Sequence, residues 1–277
     1  MLFAAVTGVC RAIPLAAGTR LADLASELHR LASPSRRRAV ERNLAVLLGR
    51  PAPAEARHVF RSYGRFLFEW LRGPDSGDCV FEGWERLEAA RARGRGVVLA
   101  VPHTGNFERA GAAAARRGMR IHAVAGIQLN ARWTPELRRR QEAAGIPILP
   151  GGFATWRRLP RLLAEGGVVA LLADGDLFAG GQEVDAFGGR ARFPQGPAKL
   201  CARTGAALLP ACALRRPDGT HVARFLEEIP VPADGAEAAT GRLAEVLAGV
   251  VRRHPGQWMI FRPFHDDALD AIAEAAA

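Results

Sequence analysis

His103 and Glu108 are the residues whose type and spacing best fit acid–base chemistry. An apolar run before Pro102 predicts a buried strand that ends there, and a tight turn through Gly105 then opens a helix. Such a turn can fold the carboxylate back under the imidazole. A histidine oriented by a carboxylate is a general base that takes a proton from a hydroxyl group. We therefore expect both residues to be catalytic.

The position of this pair favours function over a purely structural role. Ligand sites in α/β sheets lie at the carboxyl ends of strands, and His103 stands at such an end. Asn106 lies between the two residues, where it can cap the helix or hold the turn that brings Glu108 back. We include Asn106 among the candidate substrate-binding residues.

Asp174 and Asp176 follow another predicted strand. Two carboxylates at this spacing can bind a divalent cation, cap a turn or pair with arginines. The sequence offers no third clustered ligand, so we predict no metal site and treat both aspartates as candidate substrate-binding residues.

A segment rich in glycine and proline contains Glu183, Arg190 and Arg192 and precedes a predicted helix from about Pro197 to Thr204. We expect a loop here. The helix N-terminus and the two guanidinium groups would form an anion-binding site for a substrate. A solvated loop explains the same composition equally well.

The 277 residues carry a net charge of +10, and Lys199 is the only lysine. This charge favours anionic lipid, an acidic carrier protein or the phosphates of coenzyme A as partners, although a GC-rich genome explains the arginine excess equally well. Basic and aromatic residues do not alternate as in single-strand binders, so we predict no nucleic-acid partner. The four cysteines form no CxxC pair, which fits a reducing cytoplasm.

The segment Met1–Leu31 is apolar but interrupted by Arg11, Pro14, Arg20 and Asp23. It contains no uncharged run of about 20 residues, so it predicts no spanning helix. It also lacks an early basic region followed by a clean apolar block and a cleavage site, so it predicts no signal peptide. A broad apolar face with scattered cations can lie in the headgroup layer of a bilayer. Ordinary packing against the rest of the chain is the alternative, and the two can hold for different faces.

The fold class predicted is α/β: a single domain with a largely parallel central sheet flanked by helices, plus an N-terminal helical membrane-associating segment. We expect residues 1–75 to form this helical lead-in and residues 76–277 to form the α/β core. In the core, short apolar runs alternate with amphipathic segments, which is typical of βαβ units. The runs are Gly96–Val101, Arg120–Ala125, Ile146–Leu149, Val168–Ala173 and Ala206–Leu214, with His221–Leu226 as an antiparallel strand and Trp258–Arg262 as a final strand.

The segment His103-Thr-Gly-Asn-Phe-Glu108 resembles the HX4(D/E) motif of glycerolipid acyltransferases. More narrowly, it is similar to the His-x-x-Asn-Trp-(Asp/Glu) form of bacterial glycolipid acyltransferases, a family that includes lipid A late acyltransferases and phosphatidylinositol mannoside acyltransferases. The resemblance covers most of the chain. Arg38–Leu44 resembles the basic segment of the family that ends in Asn-Leu. Ala173–Leu177 resembles its Asp-Arg-Asp loop, with Gly175 in the middle, and Val184–Gly188 resembles its Val-x-Phe-Phe-Gly segment, with Ala186 replacing the first Phe. Thr204–Pro210 and Gln257–Phe261 resemble its late motifs.

This resemblance implies a direct transfer. His103 would deprotonate a sugar hydroxyl that attacks the thioester of acyl-CoA or acyl carrier protein, and Glu108 would orient and charge-stabilise His103. No cofactor or acyl-enzyme is implied. The arginine that the family often places before a glycine is replaced by Gln141, so the adjacent Arg140 is our candidate for the oxyanion stabiliser.

The resulting hypothesis is a membrane-associated O-acyltransferase at the cytoplasmic face of the inner membrane. Its partners would be the lipid surface, a glycolipid acceptor, and acyl-CoA or acyl carrier protein. Pro194–Ala198 leans toward the phosphatidylinositol mannoside branch. The alternatives are a lipid A type enzyme that uses acyl carrier protein, a non-catalytic lipid-binding protein on the same fold, and a metal-dependent hydrolase.

Overall fold

The computed structural model describes residues 2–73, 78–125, 134–175 and 181–265. Helices fill the N-terminal part of the chain. They are α1 (Leu2–Ala12), α2 (Leu15–Ala32), α3 (Pro34–Leu48) and α4 (Pro53–Arg72). Proline opens α3 and α4 at the first helical position, where its missing N–H would have no partner anyway. No described helix is both long enough and apolar enough to cross a bilayer.

A seven-stranded sheet forms the centre of the molecule. Its strands are β1 (Cys79–Glu82), β2 (Val97–Val101), β3 (Ile121–Ala125), β4 (Ile148–Pro150), β5 (Val168–Leu172), β8 (Ala207–Arg215) and β9 (His221–Phe225), in the spatial order β1-β9-β8-β2-β5-β3-β4. Every neighbouring pair is parallel except β8 and β9. The predicted fold class, a mostly parallel sheet flanked by helices in one α/β domain, is confirmed.

Helices cover both faces of the sheet, as a parallel sheet requires. The core elements outside the sheet are α5 (Trp84–Ala92), α6 (Phe107–Arg116), α7 (Thr134–Ala143), α8 (Phe153–Ala164), a hairpin of β6 (Gln182–Ala186) and β7 (Gly189–Phe193), α9 (Gly196–Thr204), α10 (Ala236–Arg253) and a 3-10 turn at Pro255–Gln257. One buried cluster joins α3, α4, α8, α9 and α10 to the sheet, and a second joins α5 and α6 to the other face. The carboxyl end of the central strand β2 therefore lies between two layers of helices.

Two segments differ from the sequence expectations. Residues 183–193 belong to the antiparallel β6–β7 hairpin and are not an irregular loop, because Val184, Ala186, Ala191 and Phe193 point inward and are buried. The predicted final strand, Trp258–Arg262, is not a strand. Its first residue, Trp258, forms an isolated bridge to Thr104, and the N–H of Met259 donates to the His103 carbonyl at 2.8 Å.

Candidate active site

A sharp turn after β2 carries His103 to the middle of the carboxyl edge of the sheet. Gly105 has φ 57° in this turn, and a Cβ there would overlap the backbone carbonyl of Ala213 on β8. Asn106 then caps α6, because its side-chain oxygen accepts a hydrogen bond from the backbone N–H of Arg109 at 3.0 Å. Asn106 therefore has the capping role that the sequence predicted.

The carboxylate that binds His103 is that of Asp174. The Nδ1 atom of His103 lies 2.6 Å from Asp174 Oδ1, and the backbone N–H of His103 donates to Asp174 Oδ2 at 2.7 Å. Strand pairing explains this contact: Val101 of β2 is in register with Leu172 of β5, so the residues that follow the two strand ends meet. Asp174 is fully buried, whereas 28% of the His103 side chain is exposed.

Trp258 fixes the same carboxylate from the other side. Its indole N–H donates to Asp174 Oδ2 at 2.8 Å, and its ring stacks on that of Phe187 at a centroid distance of 5.3 Å. Burial alone would raise the pKa of Asp174, but the charge and N–H groups of His103, together with Trp258, lower it. An ionised Asp174 holds the proton of the imidazole on Nδ1 and leaves Nε2 as the basic nitrogen. The sequence marked Trp258 only as part of a matching motif.

Glu108 does not bind His103, which corrects the pairing expected from their spacing. Gln141 Nε2 donates to Glu108 Oε1 at 2.7 Å. Helix α6 begins at Phe107, whose ring lies edge-on to the imidazole at 6.4 Å, and Glu108 points about 100° further round the helix. Burial raises the pKa of Glu108 to about 7, although hydrogen bonds from Trp70 and Gln141 act in the opposite direction.

An apolar cavity of about 130 Å³ begins beside this turn and runs under α6. The sheet residues Leu99, Ala170 and Ala211 form part of its wall, and Phe107 lies at the end nearest His103. Glu108 and Gln141 add polar groups to the lining. A cavity of this chemistry next to a basic imidazole can hold a hydrocarbon chain whose reactive end lies at His103.

The sequence matches the family model described as bacterial lipid A biosynthesis acyltransferase over residues 1–265. The chain belongs to this family. It is 35% identical over 246 residues to a phosphatidylinositol mannoside acyltransferase of Mycobacterium tuberculosis, covering 81% of this chain and 75% of that protein. It is 33% identical over 247 residues to the enzyme of the same name from Mycolicibacterium smegmatis, covering 81% and 78%. The chain is therefore an acyltransferase, as its resemblance around His103 predicted.

Arg140 of this acyltransferase was the candidate for the oxyanion stabiliser. Arg140 donates to Thr7 of α1 at 2.9 Å and pairs with Glu136 at 3.5 Å, so it joins α7 to α1. Its predicted role at the oxyanion has no support from these contacts.

The charged residues of the hairpin form a solvent-facing set. Glu183 pairs with Arg190 and stands opposite Arg192 in the β6–β7 register, and all three side chains are exposed. The hairpin contacts the site through Phe187, whose ring stacks on Trp258. An anion site on these arginines stays a prediction, and Asp176 lies outside the described residues.

A buried ionic cluster around Glu69 contacts the turn that carries His103 through Asn106. The sequence did not reveal this cluster. Glu69 of α4 is 2% exposed, accepts a hydrogen bond from Asn106 Nδ2 at 2.8 Å, and forms an ion pair with Arg215. His221 Nε2 lies 3.3 Å from the same carboxylate and Arg109 Nη2 lies 4.0 Å from it. Burial opposes ionisation of Glu69, but His221, Arg215 and Asn106 outweigh it and lower its pKa to about 2.

Within the described ranges, no three histidine, cysteine or acidic side chains come together in a way that could hold a metal ion. Asp174 is occupied by His103 and Trp258 instead. The arrangement at the edge of the sheet is thus a base with its carboxylate, separated from an apolar cavity by the ring of Phe107.

Proposed function

We propose that this acyltransferase moves a fatty acyl group from acyl-CoA or acyl carrier protein to a sugar hydroxyl of a glycolipid. The observation that carries the proposal is the His103–Asp174 pair, together with an apolar cavity lined by Phe107, whose ring lies 6.4 Å from the imidazole. The names of the mycobacterial relatives support a phosphatidylinositol mannoside as the acceptor.

The proposed reaction needs no acyl-enzyme, because the acceptor hydroxyl is itself the nucleophile. His103 Nε2 takes the hydroxyl proton while the oxygen bonds to the thioester carbonyl carbon. The ionised Asp174 stabilises the imidazolium that forms. When the tetrahedral intermediate collapses, the C–S bond breaks and His103 returns the proton to the departing thiolate. No cofactor takes part, and the thioester is a co-substrate.

The test is transfer by the purified chain, with acyl-CoA and acyl carrier protein each offered to a phosphatidylinositol mannoside and to a lipid A precursor. We expect transfer to the mannoside, and none by the folded His103→Ala variant. Transfer only from acyl carrier protein to the lipid A precursor would establish the alternative acceptor. A protein that binds lipid but transfers from neither donor would be the non-catalytic alternative, and full activity of His103→Ala would overturn the mechanism.

We also propose that residues 1–75 form a lead-in at the cytoplasmic face of the membrane and residues 76–277 the catalytic core. Leu21, Leu24, Leu28 and Leu31 lie on one face of α2 and are 55–62% exposed. The opposite face packs on α4, where Gly18 contacts Phe68 and Ser26 approaches Gly64. An exposed leucine stripe on a basic protein favours peripheral contact with an anionic bilayer.

The double variant Leu24→Ser/Leu28→Ser should lower the partition of the protein onto phosphatidylglycerol-containing vesicles by tenfold or more. Each buried leucine contributes about 1.5–3 kcal/mol to such transfer, and about 1.4 kcal/mol is a factor of ten. Flotation measures the bound fraction. The matched control is Val80→Ser, at an exposed apolar residue of the edge strand β1, which should bind like the wild type. Equal binding by the double variant would contradict membrane contact through α2.

A further inference from the structure

The guanidinium group of Arg262 lies against Gly175, the residue that follows Asp174. A Cβ added to Gly175 would overlap Arg262 Nη2 and lie 3.6 Å from its Cζ. Gly175 does not have a positive φ, and the end of the Arg262 side chain occupies the space that a Cβ at this position would take. The side chain of Arg262 is exposed. A cation thus stands at the rim of the site, one residue from the carboxylate that holds His103.

The backbone of Arg262 is fixed on both sides. Buried Asn43 donates to the Arg262 carbonyl at 2.8 Å and accepts from the Phe264 N–H at 3.0 Å. The preceding Phe261 packs edge-on against Phe60 and Tyr63, with centroid distances of 5.1 and 4.9 Å. The direction in which the Arg262 side chain leaves the backbone is therefore set by buried contacts.

The described part of the chain contains no ion-pair partner that would explain the position of the Arg262 guanidinium. Among the described residues, no carboxylate lies within ion-pair distance of Arg262, whereas Arg65, Arg215 and Arg216 each have such a partner. Asp174 already accepts hydrogen bonds from His103 and Trp258. An exposed guanidinium on a fixed backbone can offer parallel N–H donors to a phosphate group.

We propose that Arg262, reaching over Gly175, binds a phosphate group carried by one of the two substrates while the reacting atoms lie at His103. The inference rests on the proposed function, which supplies two sources: the phosphodiester of the acceptor headgroup and the phosphates of the donor. A role in ground-state binding follows from the exposure of Arg262, since an oxyanion stabiliser acts in a water-excluded position.

Position 175 offers a second test of the proposal. The guanidinium of Arg262 fills space that a side chain at position 175 would enter. A guanidinium attached at 175 should therefore be able to replace the one removed from 262.

The experiment is calorimetric titration of the full chain with one probe at a time, so that no turnover is needed. Coenzyme A represents the donor and glycerophosphoinositol represents the acceptor headgroup; pantetheine and inositol are their phosphate-free counterparts. We expect Arg262→Gln to weaken one phosphate probe about tenfold, as the loss of a charge-assisted contact predicts, and to leave its phosphate-free counterpart unchanged. The probe affected identifies the source of the phosphate.

Two further variants make the test specific. Gly175→Arg/Arg262→Ala should restore binding to within about threefold of the wild type. Arg242→Gln, at an exposed position of α10, removes the same charge elsewhere and should have no effect. Unchanged binding of both phosphate probes in folded Arg262→Gln would overturn the proposal, as would equal weakening by Arg242→Gln. Because binding is measured without turnover, loss of the proposed transfer activity would leave this result standing.

Discussion

Replacing Asp174 with asparagine is expected to lower kcat for acyl transfer by roughly 10³- to 10⁴-fold, the range seen when a general base loses its orienting carboxylate. The amide is the same size, so the buried site can keep its packing. It cannot stabilise the imidazolium, and its NH₂ group can force the imidazole into the wrong tautomer. Single-turnover rates at saturating donor and acceptor measure the chemical step, and unfolding curves check that the fold is kept.

Glu108→Gln is the matched control, since it removes the other carboxylate that the spacing of the motif connects with His103. Glu108 binds Gln141, and a glutamine there can keep one hydrogen bond. We expect its kcat to stay within about tenfold of the wild type. An inactive Glu108→Gln protein beside an active Asp174→Asn protein would contradict the assignment and restore the pairing predicted from the sequence.

The sequence was sufficient for the position of His103 but not for the identity of its partner. The apolar run from Gly96 to Val101, ended by Pro102, predicts a strand with a functional residue at its end, because the local pattern decides both features. The contact with Asp174 spans 71 residues and depends on β5 pairing beside β2. Nothing in the local pattern specifies that neighbour, so the nearer carboxylate, Glu108, was the natural choice.

The hairpin at residues 183–193 shows a different limit. Its inward residues alternate with charged ones, which is the strand pattern, but the many glycines and prolines favoured a loop. The approach of Arg262 to Gly175 was also beyond the sequence, because it depends on Asn43 and Phe261 in distant segments. In each case a long-range contact, and not residue type, decided the role.

Glu69→Leu is expected to lower the free energy of unfolding by about 3–5 kcal/mol, the cost of removing one partner from a buried ion pair. Arg215 and Arg109 would keep their charges without the carboxylate, and Asn106 would lose the acceptor of its side-chain N–H. Urea unfolding at pH 7 measures the change. Glu245→Gln, which breaks an exposed pair with Arg242, should cost no more than about 0.5 kcal/mol.

The pH dependence of the free energy of unfolding distinguishes loss of the Glu69 charge from loss of its packing. The folded pKa of Glu69, about 2, lies below its ordinary value of 4.5, so its stabilisation is present above pH 4.5 and disappears as the pH falls toward 2. The variant should therefore lose stability less steeply than the wild type over that interval. Parallel curves would contradict an ionised Glu69.

Because Asn106 connects this carboxylate to the turn that carries His103, the same variant should also transfer acyl groups more slowly while it is still folded.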